Sequence, residues 1–87
     1  MDKDKLKKYR RKFKIYYLSQ MVPESWIAKI YNVSRQAMHE EIKIIKENKV
    51  MCDVLNRWIN TDPLMFLEDI KTQATLISLI NKVEANK

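Results

Sequence analysis

The chain has 87 residues, of which 46% are apolar and 32% are charged, and its formal net charge is +6. This length and composition predict one small folded domain and exclude a disordered protein. A single Cys, Cys52, and a single His exclude an internal disulfide and a zinc-binding cluster, and the apolar runs are too short to span a membrane.

Glycine is absent, and the chain contains only two prolines. Tight β-hairpins need Gly, Asn or Asp at positive φ, whereas helices need such a residue only at some of their C-termini. The sequence therefore predicts an all-α fold in a single domain, 1–87. We divide this domain into a basic first helix (1–22), a central segment (23–49) and C-terminal helices (50–87) that serve packing or dimerisation.

The positive charge is concentrated at the start of the chain. Residues 1–14 carry eight cations and two acids, and the remaining residues carry nine of each. The first helix is predicted from about Asp4 to Ser19, and its apolar positions form a stripe for packing on the domain: Leu6, Tyr9, Phe13, Tyr16, Tyr17 and Met21. The outward cations then serve either solubility alone or phosphate binding. The predicted phosphate contacts are Lys7, Lys8, Arg10, Arg11 and Lys14.

The central segment has the layout of a helix-turn-helix. Pro23 suits the first turn of a helix predicted over 24–31, and Asn32 suits a left-handed helix end. Ser34 is a good N-cap for a third helix, which is predicted over about 35–49. The residues of this third helix that should face inward are Ala37, Met38, Ile42 and Ile45.

Residues 25–45, SWIAKIYNVSRQAMHEEIKII, resemble the helix-turn-helix segment of bacterial regulators, including biotin-repressor-type and many phage and plasmid regulators. The run VSRQA, followed by an apolar residue one turn later, carries the resemblance. It implies that the chain binds double-stranded DNA with the third helix in the major groove. The segment departs from the pattern at Asn32, where Gly is frequent, and at Glu41, where some repressors have an apolar residue. Many such regulators continue into a β-wing, but 50–59 has a helical pattern without glycine, so we expect no wing.

The start of the third helix would meet the bases. Arg can bind guanine and Gln can bind adenine through two hydrogen bonds each. We therefore predict base contacts by Arg35, Gln36 and His39. Contacts to the DNA backbone are predicted for Ser34, Lys43 and Lys46. The alternative is that this helix face is merely solvated.

Two adjacent acids, Glu40 and Glu41, oppose the attraction to phosphate. One of them should pair with Lys43 or with a lysine on the next turn. One could also accept a hydrogen bond from cytosine. Affinity should then depend mainly on the basic first helix. The two tryptophans, Trp26 and Trp58, are predicted to be core aromatics.

The C-terminal part leaves two questions open. Residues 50–59 either continue the third helix or form a fourth helix after a kink near Asn48. A last helix is predicted from Pro63 to Val83, and it either packs back on the domain or forms a homodimer or protein-partner surface. The residues predicted for that surface are Phe66, Ile70, Leu76, Ile77 and Ile80.

These patterns predict a sequence-specific double-stranded DNA-binding protein, a small transcriptional regulator encoded by a bacterium, phage or plasmid and acting in the cytoplasm. The alternatives are a helix-turn-helix-fold module that binds a host or repressor protein, and a replication, partition or packaging factor. The sequence shows no nucleophile–base pair, phosphate-binding loop or metal cluster, so we predict no enzymatic activity, no cofactor and no metal.

Overall fold

A computed structural model of the chain describes residues 2–68, 70 and 72–86. Over these residues the chain forms helices and no strand, which confirms the predicted all-α fold. None of these helices is both long enough and apolar enough to cross a membrane. The helices are α1 (Lys3–Ser19), α2 (Glu24–Ile30), α3 (Arg35–Glu47), α4 (Lys49–Thr61), α5 (Leu64–Leu67) and α6 (Gln73–Ala85).

Helix α1 lies at the centre of the fold. It packs against α2 and α3 and also against α6, while α4 packs against α3 and α6. Four residues in its second half are buried: Phe13, Ile15, Tyr16 and Tyr17. Because successive residues of a helix are rotated by about 100°, these positions lie on opposite sides of the helix axis, and neighbouring helices enclose α1 there. Met21, predicted to face inward, lies beyond the end of α1 and is exposed.

The central segment forms the predicted helix-turn-helix. Helix α2 begins directly after Pro23, and the chain reverses through Asn32, whose φ of 53° lies in the left-handed region. The Ser34 hydroxyl accepts a hydrogen bond from the backbone N–H of Ala37 at 3.0 Å. Asn32 and Ser34 are thus confirmed as the turn residue and the N-cap, and they set the direction in which α3 leaves the turn.

Helices α3 and α4 are separate helices with a kink between them. Asn48 has an extended backbone (φ −86°, ψ 91°) and therefore cannot continue α3. Its side-chain oxygen accepts from the backbone N–H of Met51 at 3.0 Å and so caps α4. An asparagine side chain competes for backbone N–H groups in this way. Of the two alternatives that the sequence left open, the structure therefore has a fourth helix after a kink at Asn48.

The single helix predicted from Pro63 to Val83 is wrong. The chain forms the one-turn helix α5, and Thr72 then caps α6 by accepting from the backbone N–H of Thr75 at 3.2 Å. A continuous helix would place Phe66 about 140° around its axis from Leu79. In the structure, Phe66 and Leu79 belong to the separate helices α5 and α6, and both side chains are buried.

The C-terminal apolar residues complete the core of the chain. Phe66 stacks on Tyr17 of α1, with ring centroids 5.3 Å apart. Among the residues predicted to form a dimer or partner surface, Ile77 is half-buried and four are buried: Phe66, Ile70, Leu76 and Ile80. These four side chains are therefore not available on the surface. The homodimer itself stays a prediction.

Besides Met21, two more residues predicted to face the core are exposed. Trp26 keeps 61% of its exposure on α2, where Ile27 and Ala28 face the core instead. Ala37 is exposed on α3. Trp58 is half-buried, and the ammonium of Lys82 lies 5.3 Å from the centroid of its ring. Helical spacing identified these residues as apolar positions but did not show which side of each helix is covered.

Candidate nucleic-acid interface

The first turn of α3 is presented to solvent. Ser34, Arg35 and Gln36 are exposed, while Met38 and Ile42 of the same helix are buried against the core. The turn and the N-cap hold the start of α3 at the outer end of the helix-turn-helix. Two long polar side chains therefore stand where the sequence predicted base contacts.

His39 lies one turn further along α3 and is bonded to α2. Its Nδ1 lies 2.8 Å from a carboxylate oxygen of Glu24, and this hydrogen bond joins the two helices. Lys43 and Lys46 line a cavity of about 290 Å³ together with His39 and Glu24. The ring Nε2 takes no part in the bond to Glu24; with Nδ1 donating to the carboxylate, Nε2 of the neutral ring can accept a hydrogen bond from a base amino group.

Glu41 forms an ion pair with α1. Arg11 donates from Nε and Nη2 to the two carboxylate oxygens of Glu41, at 2.8 and 3.0 Å. The guanidinium carbon also lies 4.8 Å from the centroid of the Tyr31 ring. The hydrogen bond to Glu41 raises the pKa of Arg11 above its ordinary value. Instead of a lysine on α3, Glu41 therefore has a partner 30 residues away.

This ion pair changes the electrostatics of the predicted interface in two ways. The charge of Glu41, one of the two adjacent acids of α3, is offset by the charge of Arg11. In return, Arg11, which was predicted to contact phosphate, has its guanidinium bound to α3 and Tyr31. At the position where some repressors have an apolar residue, this chain has Glu41, which forms an ion pair between two helices.

The predicted phosphate contacts of α1 divide into a group of four and one outlier. Lys7, Arg10, Arg11 and Lys14 are spaced so that they share one face of the helix. Together with Ile30 and Tyr31 at the end of α2, they line a cavity of about 330 Å³, which we call the basic cleft. Lys8 is exposed on α1 but does not line it.

One atom at the basic cleft lacks a partner. Arg10 lines the cleft, and its Nε is buried without a hydrogen-bond partner in the part of the chain that the structure describes. The sequence predicted Arg10 as a surface contact and gave no sign that part of its guanidinium group would be enclosed. The helical spacing of the four cations could have identified the α1 face, but not the α2 wall opposite it.

The basic cleft and the start of α3 are joined by a short stretch of chain. Ile30 lines the cleft, and Arg35 follows it five residues later, across the turn. Five residues span at most about 18 Å, which is comparable to the width of about 12 Å of the DNA major groove. The path along the chain therefore limits the distance between the cleft wall at Ile30 and Arg35 to about 18 Å.

An exposed apolar pair on α2 was missed at the sequence level. Trp26 and Ile30 keep 61% and 62% of their exposure. They are four residues apart in the helix and therefore lie next to each other on its surface. Ile30 also forms part of the wall of the basic cleft, so the apolar pair adjoins the cationic face of α1.

Comparisons with known protein families, with curated proteins and with solved structures gave no match for this chain. The resemblance of residues 25–45 to helix-turn-helix regulators therefore depends on the residues of that segment and on the geometry of α2, the turn and α3.

Proposed function

We propose that the chain binds double-stranded DNA in a sequence-specific manner, as a small transcriptional regulator, with α3 in the major groove. The observation that supports this most directly is the exposed start of α3, where Arg35 and Gln36 follow a turn made by Asn32 and Ser34. Arg and Gln are the side chains that bind guanine and adenine through paired hydrogen bonds. The N-terminal part of a recognition helix is the part that meets base edges.

Affinity and base discrimination would come from different helices. The exposed charged side chains of α3 other than His39 are three cations and two acids: Arg35, Lys43, Lys46, Glu40 and Glu47. This face carries little net charge, whereas the first 14 residues carry the whole excess of the chain. Phosphate contacts supply most of the affinity of DNA-binding proteins. We therefore assign phosphate binding to α1 and discrimination to the start of α3.

The test is selection from a random pool of duplex DNA at several salt concentrations, followed by sequencing of the retained duplexes. An enriched palindrome is expected for a dimeric regulator, and it would also give the half-site spacing. Salt-sensitive retention without enrichment would favour a factor that assembles on DNA, as in replication, partition or packaging. No retention at low salt would refute DNA binding.

Matched variants separate the two proposed roles. Arg35→Ala or Gln36→Ala should reduce the preference between sites, because a good bidentate contact contributes about 1–3 kcal/mol of discrimination. Lys7→Gln should weaken binding to all duplexes alike and flatten the slope of log affinity against log salt by about 1. Arg57→Gln removes the same charge from the exposed surface of α4 and is the control. Equal effects of Lys7→Gln and Arg57→Gln would contradict the role assigned to α1.

A second candidate function is the binding of a protein partner, which the exposed Trp26 and Ile30 favour. Adjacent large apolar side chains on a surface mark interaction sites more often than scattered ones do. Since most of the predicted C-terminal partner residues are buried, α2 becomes the place for such a contact. On the DNA proposal, Trp26→Gln leaves the enrichment of duplexes unchanged. Loss of enrichment in that variant would instead make Trp26 part of the DNA surface.

A further inference from the structure

The basic cleft contains an enclosed donor that a flat, solvated row of lysines would not have. Arg10 Nε is buried and has no hydrogen-bond partner among the described residues. A charged donor that has lost its water without gaining an acceptor is unfavourable. The Nε itself is closed to solvent, so a ligand in the cleft would meet the rest of the Arg10 side chain, which lines the cleft and keeps part of its exposure.

The charges around the cleft select the kind of ligand. Four cations line it, and no acid is among its described lining residues: Lys7, Arg10, Arg11 and Lys14, with Ile30 and Tyr31. The nearby Glu41 is bound to Arg11 by two hydrogen bonds. Like charges around a concave surface with apolar walls concentrate a positive potential. The cleft is therefore suited to an anion.

One cation of the cleft wall, Arg11, is held in position before any ligand binds. Arg11 is fixed by Glu41 on α3 and by the face of Tyr31. The cavity of about 330 Å³ lies near the lower end of the range of about 300–1,000 Å³ for small-molecule sites. Arg11 therefore loses little conformational freedom when a ligand binds. A single compact anionic group fits these dimensions better than a large ligand.

We propose that the basic cleft is a binding site for one phosphate group, with Arg10 as its main donor and Lys7 and Lys14 as neighbouring cations. A phosphate offers several anionic oxygens, and arginine binds such oxygens through charge-assisted hydrogen bonds. Either a free phosphate compound or the backbone of DNA can supply the group. If DNA is the source, the inference rests on the proposed DNA binding and adds one specific phosphate site to it. If a free phosphate compound is the source, the inference does not depend on DNA binding.

The experiment is a titration of the full chain with inorganic pyrophosphate, at constant ionic strength, followed by NMR of the arginine Nε–Hε groups and the backbone amides. The Arg10 Nε–Hε signal and the Tyr31 amide should shift together and saturate. Shifts that rise linearly without saturation, or that leave Arg10 unchanged, would overturn the proposal.

Two variants and a matched control on the same helix sharpen the result. Arg10→Gln should weaken pyrophosphate binding at least tenfold, read from the Tyr31 amide. Lys7→Gln, which changes only an exposed side chain of the cleft, should weaken it about threefold, since it keeps the Arg10 donor but removes one neighbouring charge. Lys8→Gln removes the same charge outside the cleft and should change it less than twofold. Equal losses in Lys7→Gln and Lys8→Gln would overturn the site, because only the charge of α1 would then matter.

A short duplex identifies the source of the phosphate. If DNA supplies it, the duplex displaces pyrophosphate from Arg10, and Arg10→Gln lowers duplex affinity more than Lys8→Gln. If the duplex does not compete, the site belongs to a free phosphate compound. Saturable pyrophosphate binding in a chain that retains no duplex would refute the DNA proposal and keep the site. Duplex binding without saturable pyrophosphate binding would refute the phosphate site and keep the DNA proposal.

Discussion

Replacing Arg11 by Met would show whether its guanidinium serves the fold or the proposed DNA surface. Arg11 binds both carboxylate oxygens of Glu41 and lies over the ring of Tyr31. Methionine keeps most of the apolar stem and removes the charge. Glu41→Met removes the other half of the ion pair, and the double variant completes a thermodynamic cycle.

The size of the effect follows from the exposure of the ion pair. Solvent screens it, because the side chains of Arg11 and Glu41 keep 39% and 29% of their exposure. We set the ion pair at about 1 kcal/mol, the upper end for pairs near the surface, and the contact with Tyr31 at about 0.5 kcal/mol. Arg11→Met loses both and should cost about 1.5 kcal/mol, while Glu41→Met should cost about 1 kcal/mol. The double variant should cost about 1.5 kcal/mol and not the sum of about 2.5 kcal/mol, which is a coupling free energy of about 1 kcal/mol.

Urea denaturation followed by circular dichroism measures these free energies of unfolding. For a domain of this size, a loss of about 1.5 kcal/mol lowers the melting temperature by about 6–12 °C. Added salt should reduce the coupling, because it screens exposed charges. If the costs of the two single changes simply add in the double variant, the ion pair contributes no coupling and this account of α1 and α3 is refuted.

The same variant tests the division of roles on α1. Because its guanidinium is bound to Glu41, Arg11 should contribute less to duplex binding than Lys7 does. Arg11→Met is therefore expected to lower stability but to weaken DNA binding less than Lys7→Gln. An equal or greater loss of DNA affinity in Arg11→Met would mean that Arg11 leaves Glu41 to contact phosphate.

Four further predictions concern single positions. Asn32→Ala should cost about 1 kcal/mol, because alanine is strained in the left-handed region that Asn32 occupies, and Asn32→Gly should be nearly neutral by the same denaturation assay. Leu79→Ala should cost about 2–5 kcal/mol, since that side chain is fully buried. Trp26→Gln should change the free energy of unfolding by less than about 0.5 kcal/mol, because Trp26 is exposed. Burial raises the pKa of Tyr16 above its ordinary value of 10.0. The contribution of Tyr16 to the free energy of unfolding should therefore be full below pH 10 and decrease as the pH rises above it. Tyr16→Phe should reduce this decrease in denaturation curves recorded at stepped pH.

Contrary results at Asn32, Trp26 and Tyr16 would each have a definite meaning. Equal stabilities of Asn32→Ala and Asn32→Gly would mean that the turn does not require a left-handed residue. A large loss of stability in Trp26→Gln would place that ring against other side chains. Because Tyr16 also donates to Asn56 at 2.7 Å, Tyr16→Phe should cost about 1 kcal/mol at neutral pH. An unchanged alkaline fall would assign it to other groups.

Short-range signals in the chain predicted much of the helix-turn-helix. Pro23, Asn32 and Ser34 act through their own backbone angles or through a hydrogen bond to a residue three positions away. Such features need no knowledge of distant residues. The same logic failed for the last helix, because Thr72 was not recognised as the N-cap that starts α6.

The assignment of helix faces was less reliable because helical spacing identifies an apolar face without showing what covers it. Ile15 is buried, although it lies off the predicted stripe of α1, and α1 packs against α6 as well as against the helix-turn-helix. Trp26 belongs to an apolar run, yet Ile27 and Ala28 fill the available core space. The predicted partner residues of the C-terminal part were used inside the chain for the same reason.

The candidate site shows the same division. The exposure of Arg35 and Gln36 could be predicted from their positions directly after the N-cap, Ser34. The partner of Glu41 did not, because Arg11 is 30 residues away and meets it only where α1 crosses α3. The enclosure of Arg10 was equally invisible, since it requires the end of α2 as a second wall.

Local chemistry in the chain is thus sufficient for the all-α class, the turn, the Ser34 cap and the charge of the first helix. These depend on composition or on residues a few positions apart. The basic cleft, the ion pair between α1 and α3 and the exposed pair Trp26 and Ile30 arise only when the helices pack together. Their physical cause is competition for a limited core, which determines which of several apolar faces is covered and which charges are brought together.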